Sequence, residues 1–514
     1  MGPALPVLAA LLGVAACALA LFMVGKPLRQ GLLAALAMGI LGLAILSRRP
    51  KEVLLFTWVL ALTYNRQYFS FDSWIGDFGS QGLYWIPADL PFACLLLLWM
   101  GESRNPRRDL VPRGRPLWPW LLPFAAASGA SLLVAARPDW GLCEAWRIFK
   151  LLVVLAYARA NLGLREWRLC AVALGTAVVL QSGIAISQAV FNVKGGLLGF
   201  VGISGSAAAT AAERFGDRMQ LRSGGTMAAA NYLASYLLLL LPAFLALWLA
   251  ATRMSVRLAA AAVVGMGLLG LTSTMSRGPW VLCMLELAAV LLGLTALRLV
   301  SARRAAGLAA VGAMLLLLAL LPIAGKIQQR FSRDWSESVE FRARYNRVAL
   351  EMARKNMLLG VGLNNFRLYL EELAPDLEAI FREADGFRKE IGVRVTAPVH
   401  NLYLLVLAET GVLGLGAFLL FLGALLQAGF RAVASTSGSM RLVCYGLTLG
   451  LLFEALQQTI DFSLWSDPGL HTLMLIGAML AAAPALGGQA ARVPAPARGG
   501  PAARPGAAML GLEP

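Results

Sequence analysis

The chain has little charge and almost no histidine. Charged residues make up 14% of its 514 residues, and histidine occurs only at His400 and His471. A soluble protein carries roughly 25% charged residues, so this composition argues against a soluble globular fold. Hydrophobic residues reach 59%, and apolar runs near 20 residues recur from end to end. That pattern is typical of a polytopic helical membrane protein.

Signatures of nucleotide, metal and disulfide chemistry are also missing. The sequence has no Walker-type phosphate loop, no dinucleotide glycine fingerprint and no Asp-x-Asp pair, so nucleotide-dependent chemistry has no support. The lack of clustered carboxylates fits a reaction without a divalent metal. The six cysteines lie in or beside apolar segments without paired spacing, which argues against a disulfide framework or a zinc site. We therefore expect neither a cofactor nor a bound metal.

Basic residues are abundant and unevenly placed. The net charge of +17 does not indicate a nucleic-acid partner, because the arginines lie mainly in short loops between apolar runs, where membrane orientation explains them. One set of alternate loops is predicted to be cytoplasmic, with both termini, because it holds Arg48, Arg49, Lys51, Arg104, Arg107, Arg108, Arg113, Arg115, Arg165, Arg168, Arg253, Arg257, Arg298, Arg303, Arg304, Arg431 and Arg441. The short opposite loops contain little beyond Arg66, Arg137 and Arg277. We expect these on the opposite face, which is the periplasmic face if the membrane is a bacterial inner membrane.

The apolar runs predict an all-α fold, a polytopic transmembrane helical bundle of about 12–14 spans with one large, partly helical periplasmic loop. We expect an N-terminal transmembrane bundle over 1–324, the loop over 325–398, C-terminal transmembrane helices over 399–487 and a disordered cytoplasmic tail over 488–514. Apolar positions 341, 345, 348, 349 and 352 predict an amphipathic helix over 337–356 within the loop. Span centres are expected near residues 14, 39, 58, 91, 126, 151, 179, 239, 266, 290, 314, 412, 450 and 477.

Three side chains on the predicted periplasmic face are candidates for chemistry on a phosphate-linked substrate. His400 stands where the charged loop meets a long apolar run, and histidine exchanges protons near neutral pH. Arg222 precedes Ser-Gly-Gly and Arg277 precedes Gly-Pro, and guanidinium forks match pyrophosphate oxygens. The alternatives are a histidine that only caps a helix and arginines that only extend to the membrane interface.

Several motifs in the second half of the chain resemble the O-antigen ligase/polymerase superfamily. They are Arg342-Ala-Arg-Tyr-Asn-Arg-Val-Ala, Leu358-Leu-Gly-Val-Gly, His400-Asn-Leu-Tyr and Glu409-Thr-Gly-Val-Leu-Gly, preceded by Arg222, Asn231-Tyr-Leu-Ala-Ser-Tyr and Ser276-Arg277-Gly. The resemblance covers roughly residues 215–425. Met357 stands where that family usually has a proline.

The resemblance implies a metal-independent, inverting glycosyl transfer on the periplasmic face. The donor would be a glycan on undecaprenyl pyrophosphate, and the acceptor a hydroxyl of lipid A–core in a ligase or of another lipid-linked glycan in a polymerase. Membrane lipids would surround the protein. His400 would be the catalytic base, and Arg222, Arg277 and Arg342 would bind the donor pyrophosphate. Arg344 is an alternative to Arg342 for the loop arginine.

Three further residues are predicted to support the site. Glu409 lies within an apolar helix, where a charge is costly unless it is paired, so a structural lock and a substrate contact are both open. Asp89 is a candidate polar anchor, and Arg66 lies on the same predicted face as His400. A ligase is the leading interpretation, a polymerase is the second, and a transporter of lipid-linked oligosaccharides is the rival from another class.

Overall fold

A computed structural model describes most of the chain. It covers residues 49–65, 68–74, 80–103, 114–191, 212–215, 218–227, 229–303, 336–373 and 399–492, with a few isolated positions between 39 and 47 and between 306 and 325. The spans predicted around residues 14, 39 and 314, and most of the predicted tail, lie outside these ranges.

Helices dominate the described residues, and the all-α prediction is confirmed. The helices are α1 Pro50–Ala61, α2 Asp89–Ser103, α3 Trp118–Ser131, α4 Pro138–Asn161, α5 Leu164–Phe191, α6 Ala230–Ala250, α7 Met254–Ser273, α8 Arg277–Ala296, α9 Ser336–Lys355, α10 Phe366–Leu373, α11 Leu402–Ser435, α12 Gly438–Gln457 and α13 Asp467–Arg492. Two small antiparallel hairpins, which the sequence did not predict, pair β1 Tyr68–Trp74 with β2 Ser80–Trp85 and β3 Ala212–Phe215 with β4 Arg218–Leu221.

Seven described helices are long and apolar enough to cross a membrane. They are α5, α6, α7, α8, α11, α12 and the Asp467–Gly487 part of α13. The predicted centres near 58, 91 and 126 fall in α1, α2 and α3, which have only 12 to 15 residues. The centre near 151 falls in α4, which is long enough but contains several charged residues. Helix α13 continues to Arg492, beyond the predicted end of the last span at 487.

Helix α6 forms the centre of the bundle. Every residue from Leu233 to Leu241 is buried, and the helix packs against α7, α8 and α12. Glycines four residues apart bring α12 close to α6: a Cβ on Gly446 would collide with the Ala243 backbone, and one on Gly450 with the Leu239 carbonyl. This is the small-residue packing that lets membrane helices approach each other.

The predicted amphipathic helix of the loop is α9, displaced by one residue from the expected range. Its Tyr345, Val348, Ala349 and Met352 are buried, and the helix packs against α11. The apolar side chains at these positions therefore attach the loop to the bundle, as their helical spacing indicates.

The segment that follows α9 is bound to α11 at a kink, which lies at Gly411. Gly411 has a positive φ of 66°, a conformation that favours glycine. Around the kink, the Val361 N–H donates to the Ala408 carbonyl at 2.9 Å, and the Val412 N–H donates to the Met357 carbonyl at 2.9 Å. The backbone groups released by the kink are thus paired with the loop, as a membrane-embedded backbone requires.

We expect Gly411→Ala to destabilise the protein by about 1–3 kcal/mol, because a side chain at positive φ is strained. The new Cβ would also collide with the Leu358 carbonyl. Thermal unfolding of the purified protein in detergent measures the effect. The matched control is Gly416→Ala in the same helix, where a Cβ meets nothing within 4 Å. Equal unfolding temperatures for the two variants would contradict the role of the kink.

Candidate active site

The amino-terminal ends of three long helices meet at one end of the bundle. Asn231 lies in the first turn of α6, Ser276 precedes α8, and His400 precedes α11. Hydrogen bonds and an ion pair described below connect these positions. A helix start presents free N–H groups and a partial positive charge. The arrangement therefore favours anions before any side-chain charge is considered.

Two buried glutamines of α5 fix the segment that follows Arg222. The Gln181 side-chain oxygen accepts from the Thr226 N–H at 2.9 Å, and the Gln188 oxygen accepts from the Gly225 N–H at 3.0 Å. Gly225 has a positive φ of 60°, and a Cβ there would press against Gln181. The glycine pair after Arg222 is thus required for this close approach.

The Arg222 guanidinium connects the start of α6 with the turn before α8. It donates to the Asn231 side-chain oxygen at 2.8 Å, to Ser276 Oγ at 2.8 Å and to the Thr274 carbonyl at 3.2 Å. Ser276 Oγ also donates to the Asn231 oxygen at 2.9 Å. These contacts hold Arg222 beside the turn from which α8 and Arg277 begin.

Asp461, in the connection between α12 and α13, joins this network to His400. Asn231 Nδ2 donates to Asp461 Oδ2 at 2.7 Å. His400 Nδ1 lies 3.8 Å from Asp461 Oδ1, and the side chains are 25% and 3% exposed. The Leu402 N–H donates to the Asp461 carbonyl at 3.0 Å. The imidazole also packs edge-on against Phe462. Asp461 therefore anchors the start of α11 through its backbone carbonyl and faces His400 with its carboxylate.

The electrostatics around Asp461 favour its ionised form. Burial acts to raise the pKa of this carboxyl, but the contact with His400, the Phe462 N–H and the charge of Arg342 hold the pKa below its ordinary value. Asp461 is consequently negative at neutral pH. It faces His400 with a fixed charge, an arrangement that can orient an imidazole and stabilise its protonated form.

Of the two candidate loop arginines, Arg342 is the one directed to this site. Arg342 is half-buried in α9, and its charge acts on Asp461. Arg344 is exposed and pairs with Glu340 at 2.6 Å. Arg277, the first residue of α8, directly follows Ser276. Four predicted residues, namely Arg222, Arg277, Arg342 and His400, thus gather at one end of the bundle.

The two supporting candidates that the structure describes make contacts of their own. Glu409 is buried in α11 and accepts from the Phe366 N–H at 3.2 Å, so it caps α10 and acts as a structural lock in this conformation. Asp89 pairs with Lys150 at 3.0 Å and accepts from the Ile86 N–H. Arg66 lies outside the described residues.

Several residues of the site were not assigned a role from the sequence. Asn231 and Ser276 stood inside recognised motifs, but their pairing with Arg222 depends on contacts between separate helices. Asp461 follows an apolar helix. An acidic residue at the end of a membrane-spanning segment is a sequence signal that could have indicated a role for Asp461. Arg367 of α10 is a further cation: burial lowers its pKa, and Tyr232 and Glu409 act against that effect.

Residues 261–419 match a protein-family model described as O-antigen ligase. The match covers about a third of the chain and includes Arg277, Arg342, His400 and the kink in α11. Arg222 and Asp461 lie outside it. A comparison with curated proteins found no match.

The low pKa of Asp461 predicts a pH-dependent stability. A carboxyl whose pKa is lower in the folded state than in the unfolded state stabilises the fold when it is ionised. This stabilisation is complete above the unfolded pKa of about 4 and is lost as the pH falls through the folded pKa. We expect Asp461→Asn to unfold below the wild-type temperature from roughly pH 6 to 8, at a cost of about 1–3 kcal/mol. The difference should shrink below about pH 4.

Thermal unfolding across this pH range tests the prediction, with Glu340→Gln as the control because Glu340 forms an exposed pair. A difference that stays the same in acid would show that the charge of Asp461 is not what stabilises the fold.

Proposed function

Because the chain belongs to the O-antigen ligase superfamily through residues 261–419, we propose that it transfers a glycan from undecaprenyl pyrophosphate to an acceptor hydroxyl. Membership implies a membrane enzyme that acts on lipid-linked glycans of surface polysaccharide. The finer proposal is a metal-independent, inverting transfer at the periplasmic face of the inner membrane, with lipid A–core as acceptor. The observation that supports it best is the pairing of His400 with buried Asp461 beside Arg222.

His400 is proposed as the catalytic base. Its Nδ1 faces Asp461, which leaves Nε2 to accept the proton of the acceptor hydroxyl. The hydroxyl oxygen then attacks the anomeric carbon of the donor while the bond to the pyrophosphate oxygen breaks. Attack from the face opposite the leaving group inverts the configuration. Asp461 would orient the imidazole and stabilise its charge after proton transfer.

Arg222, Arg277 and Arg342 are proposed to bind the pyrophosphate. The leaving group gains negative charge as the glycosidic bond breaks, and guanidinium groups offset that charge through paired hydrogen bonds. The start of α8 adds the positive end of a helix beside Arg277, a favourable place for a phosphate. Arginine contacts and a helix end together supply this stabilisation from protein groups alone.

The acceptor distinguishes the two enzymatic alternatives. A polymerase would use the same base and the same arginines and would transfer the glycan to a second lipid-linked glycan. The ligase remains our first proposal and the polymerase the second.

A transporter would need ionisable side chains along a path through the bilayer. Within the described spans, the buried carboxyls of Glu409, Glu454 and Asp467 lie near the His400 ends of their helices, and Glu286 lies deeper in α8. This distribution favours chemistry at one membrane surface.

We expect His400→Ala to fold normally and to lower transfer by about 10²–10⁴-fold, since that is the usual contribution of a general base. The assay is a proteoliposome containing an undecaprenyl-pyrophosphate-linked glycan and lipid A–core, with released undecaprenyl pyrophosphate measured against time. Product mass separates a glycan joined to lipid A–core from a lengthened lipid-linked glycan. Donor movement across the bilayer without release by the wild type would overturn the proposal in favour of a transporter.

We expect Arg222→Lys to lower transfer by about 10–100-fold, because lysine keeps the charge and loses the fork that contacts Asn231 and Ser276. The matched control is Arg168→Lys, an exposed arginine at the start of α5, which should transfer at the wild-type rate. Full activity of the Arg222 variant would exclude bidentate binding by this residue.

A further inference from the structure

A cavity lies at the end of the bundle opposite His400. It has a volume of about 540 Å³ and opens between the start of α3, the end of α11 and the end of α13. Arg431 lies 29 residues after the first residue of α11, which at about 1.5 Å per residue is roughly 40 Å along the helix. Since the hydrocarbon core of a bilayer is about 30 Å thick, the cavity lies at the other membrane surface.

Three arginines from different segments surround this cavity. Arg115 precedes α3, Arg431 belongs to α11, and Arg159 of α4 lines a small recess that shares Gly114 and Arg115 with the cavity wall. Among the residues that the structure describes, no acidic side chain lines the cavity or the recess. Within the described part of the chain, none of the three arginines has a carboxylate within ion-pair distance, and Arg159 Nε is buried without a hydrogen-bond partner.

Close packing fixes the backbone beside Arg115. A Cβ on Gly114 would collide with the Ala481 carbonyl of α13, so the backbone beside Arg115 lies directly against that helix. Small side chains, Ala424, Ala428 and Ala485, leave the space between the helices open. The cavity volume is within the usual range of ligand sites, about 300–1,000 Å³.

The surroundings of the cavity are apolar on the membrane side. Trp120 lines it and is 47% exposed, and Pro119, Leu480 and Pro484 line it as well. Tryptophan is enriched at the level of lipid headgroups. A ligand that satisfies both the arginines and this surface combines a negative headgroup with hydrocarbon chains.

We propose that this cavity binds one anionic phospholipid. Its phosphate contacts Arg115 and Arg431, with Arg159 in the adjoining recess, and its acyl chains lie along Trp120 and Leu480. Basic pockets between transmembrane helices are suited to such headgroups. The proposal is independent of the transfer reaction, because the cavity and the residues around His400 lie at opposite ends of the bundle.

The test uses the full-length protein in a zwitterionic detergent, titrated with phosphatidylglycerol and, separately, with phosphatidylcholine. Native mass spectrometry counts the bound lipids, and thermal unfolding reports stabilisation. We expect one saturable phosphatidylglycerol and a rise in the unfolding temperature that phosphatidylcholine does not give. The triple variant R115Q/R159Q/R431Q should bind at least about tenfold more weakly.

Two further variants keep the test decisive. The control R168Q/R253Q/R303Q removes the same charge from exposed arginines outside the cavity wall and should bind like the wild type. Ala428→Phe fills the cavity without changing the charge and should weaken binding even if the triple variant does not fold. Equal loss in the control triple, unchanged binding by Ala428→Phe, or the same stabilisation by inorganic phosphate would overturn the proposal.

Discussion

The buried carboxylate of Asp461 connects segments that are far apart in the chain. It accepts from Asn231 at the start of α6, faces His400 before α11, and its backbone carbonyl accepts from Leu402. A buried charge is costly unless it is paired and hydrogen-bonded. These partners therefore stabilise this end of the bundle, and the same network connects His400 with Arg222 through Asp461 and Asn231.

Helix direction adds to the effect of this pairing. The starts of α6, α8 and α11 come together, so the partial positive charges of three helix ends point to one region. The kink at Gly411 then brings the loop after α9 against α11. The proposed base, its neighbouring carboxylate and the proposed pyrophosphate-binding arginines thus lie at one end of the bundle, while the arginine-lined cavity lies at the other.

Much of the fold was predictable because membrane insertion imposes simple rules. Apolar runs of sufficient length become helices, since every backbone polar group must be paired within the segment. The amphipathic spacing around Tyr345 likewise predicted α9 and its buried face. The hairpins were missed because they depend on pairing between short strands without a long apolar run. That Asp89 needs a partner followed from the cost of an unpaired charge, but the identity of that partner, Lys150, did not.

The sequence by itself determined the membrane class, the helical periodicity and the residue types able to do the chemistry, because these depend on local composition and spacing. Only the tertiary structure decided that Asp461 faces His400, that Asn231 and Ser276 hold Arg222, and that Arg342 is directed inward while Arg344 is exposed. Those choices depend on how separate helices pack. Packing places side chains from distant positions within hydrogen-bond distance, which no local pattern specifies.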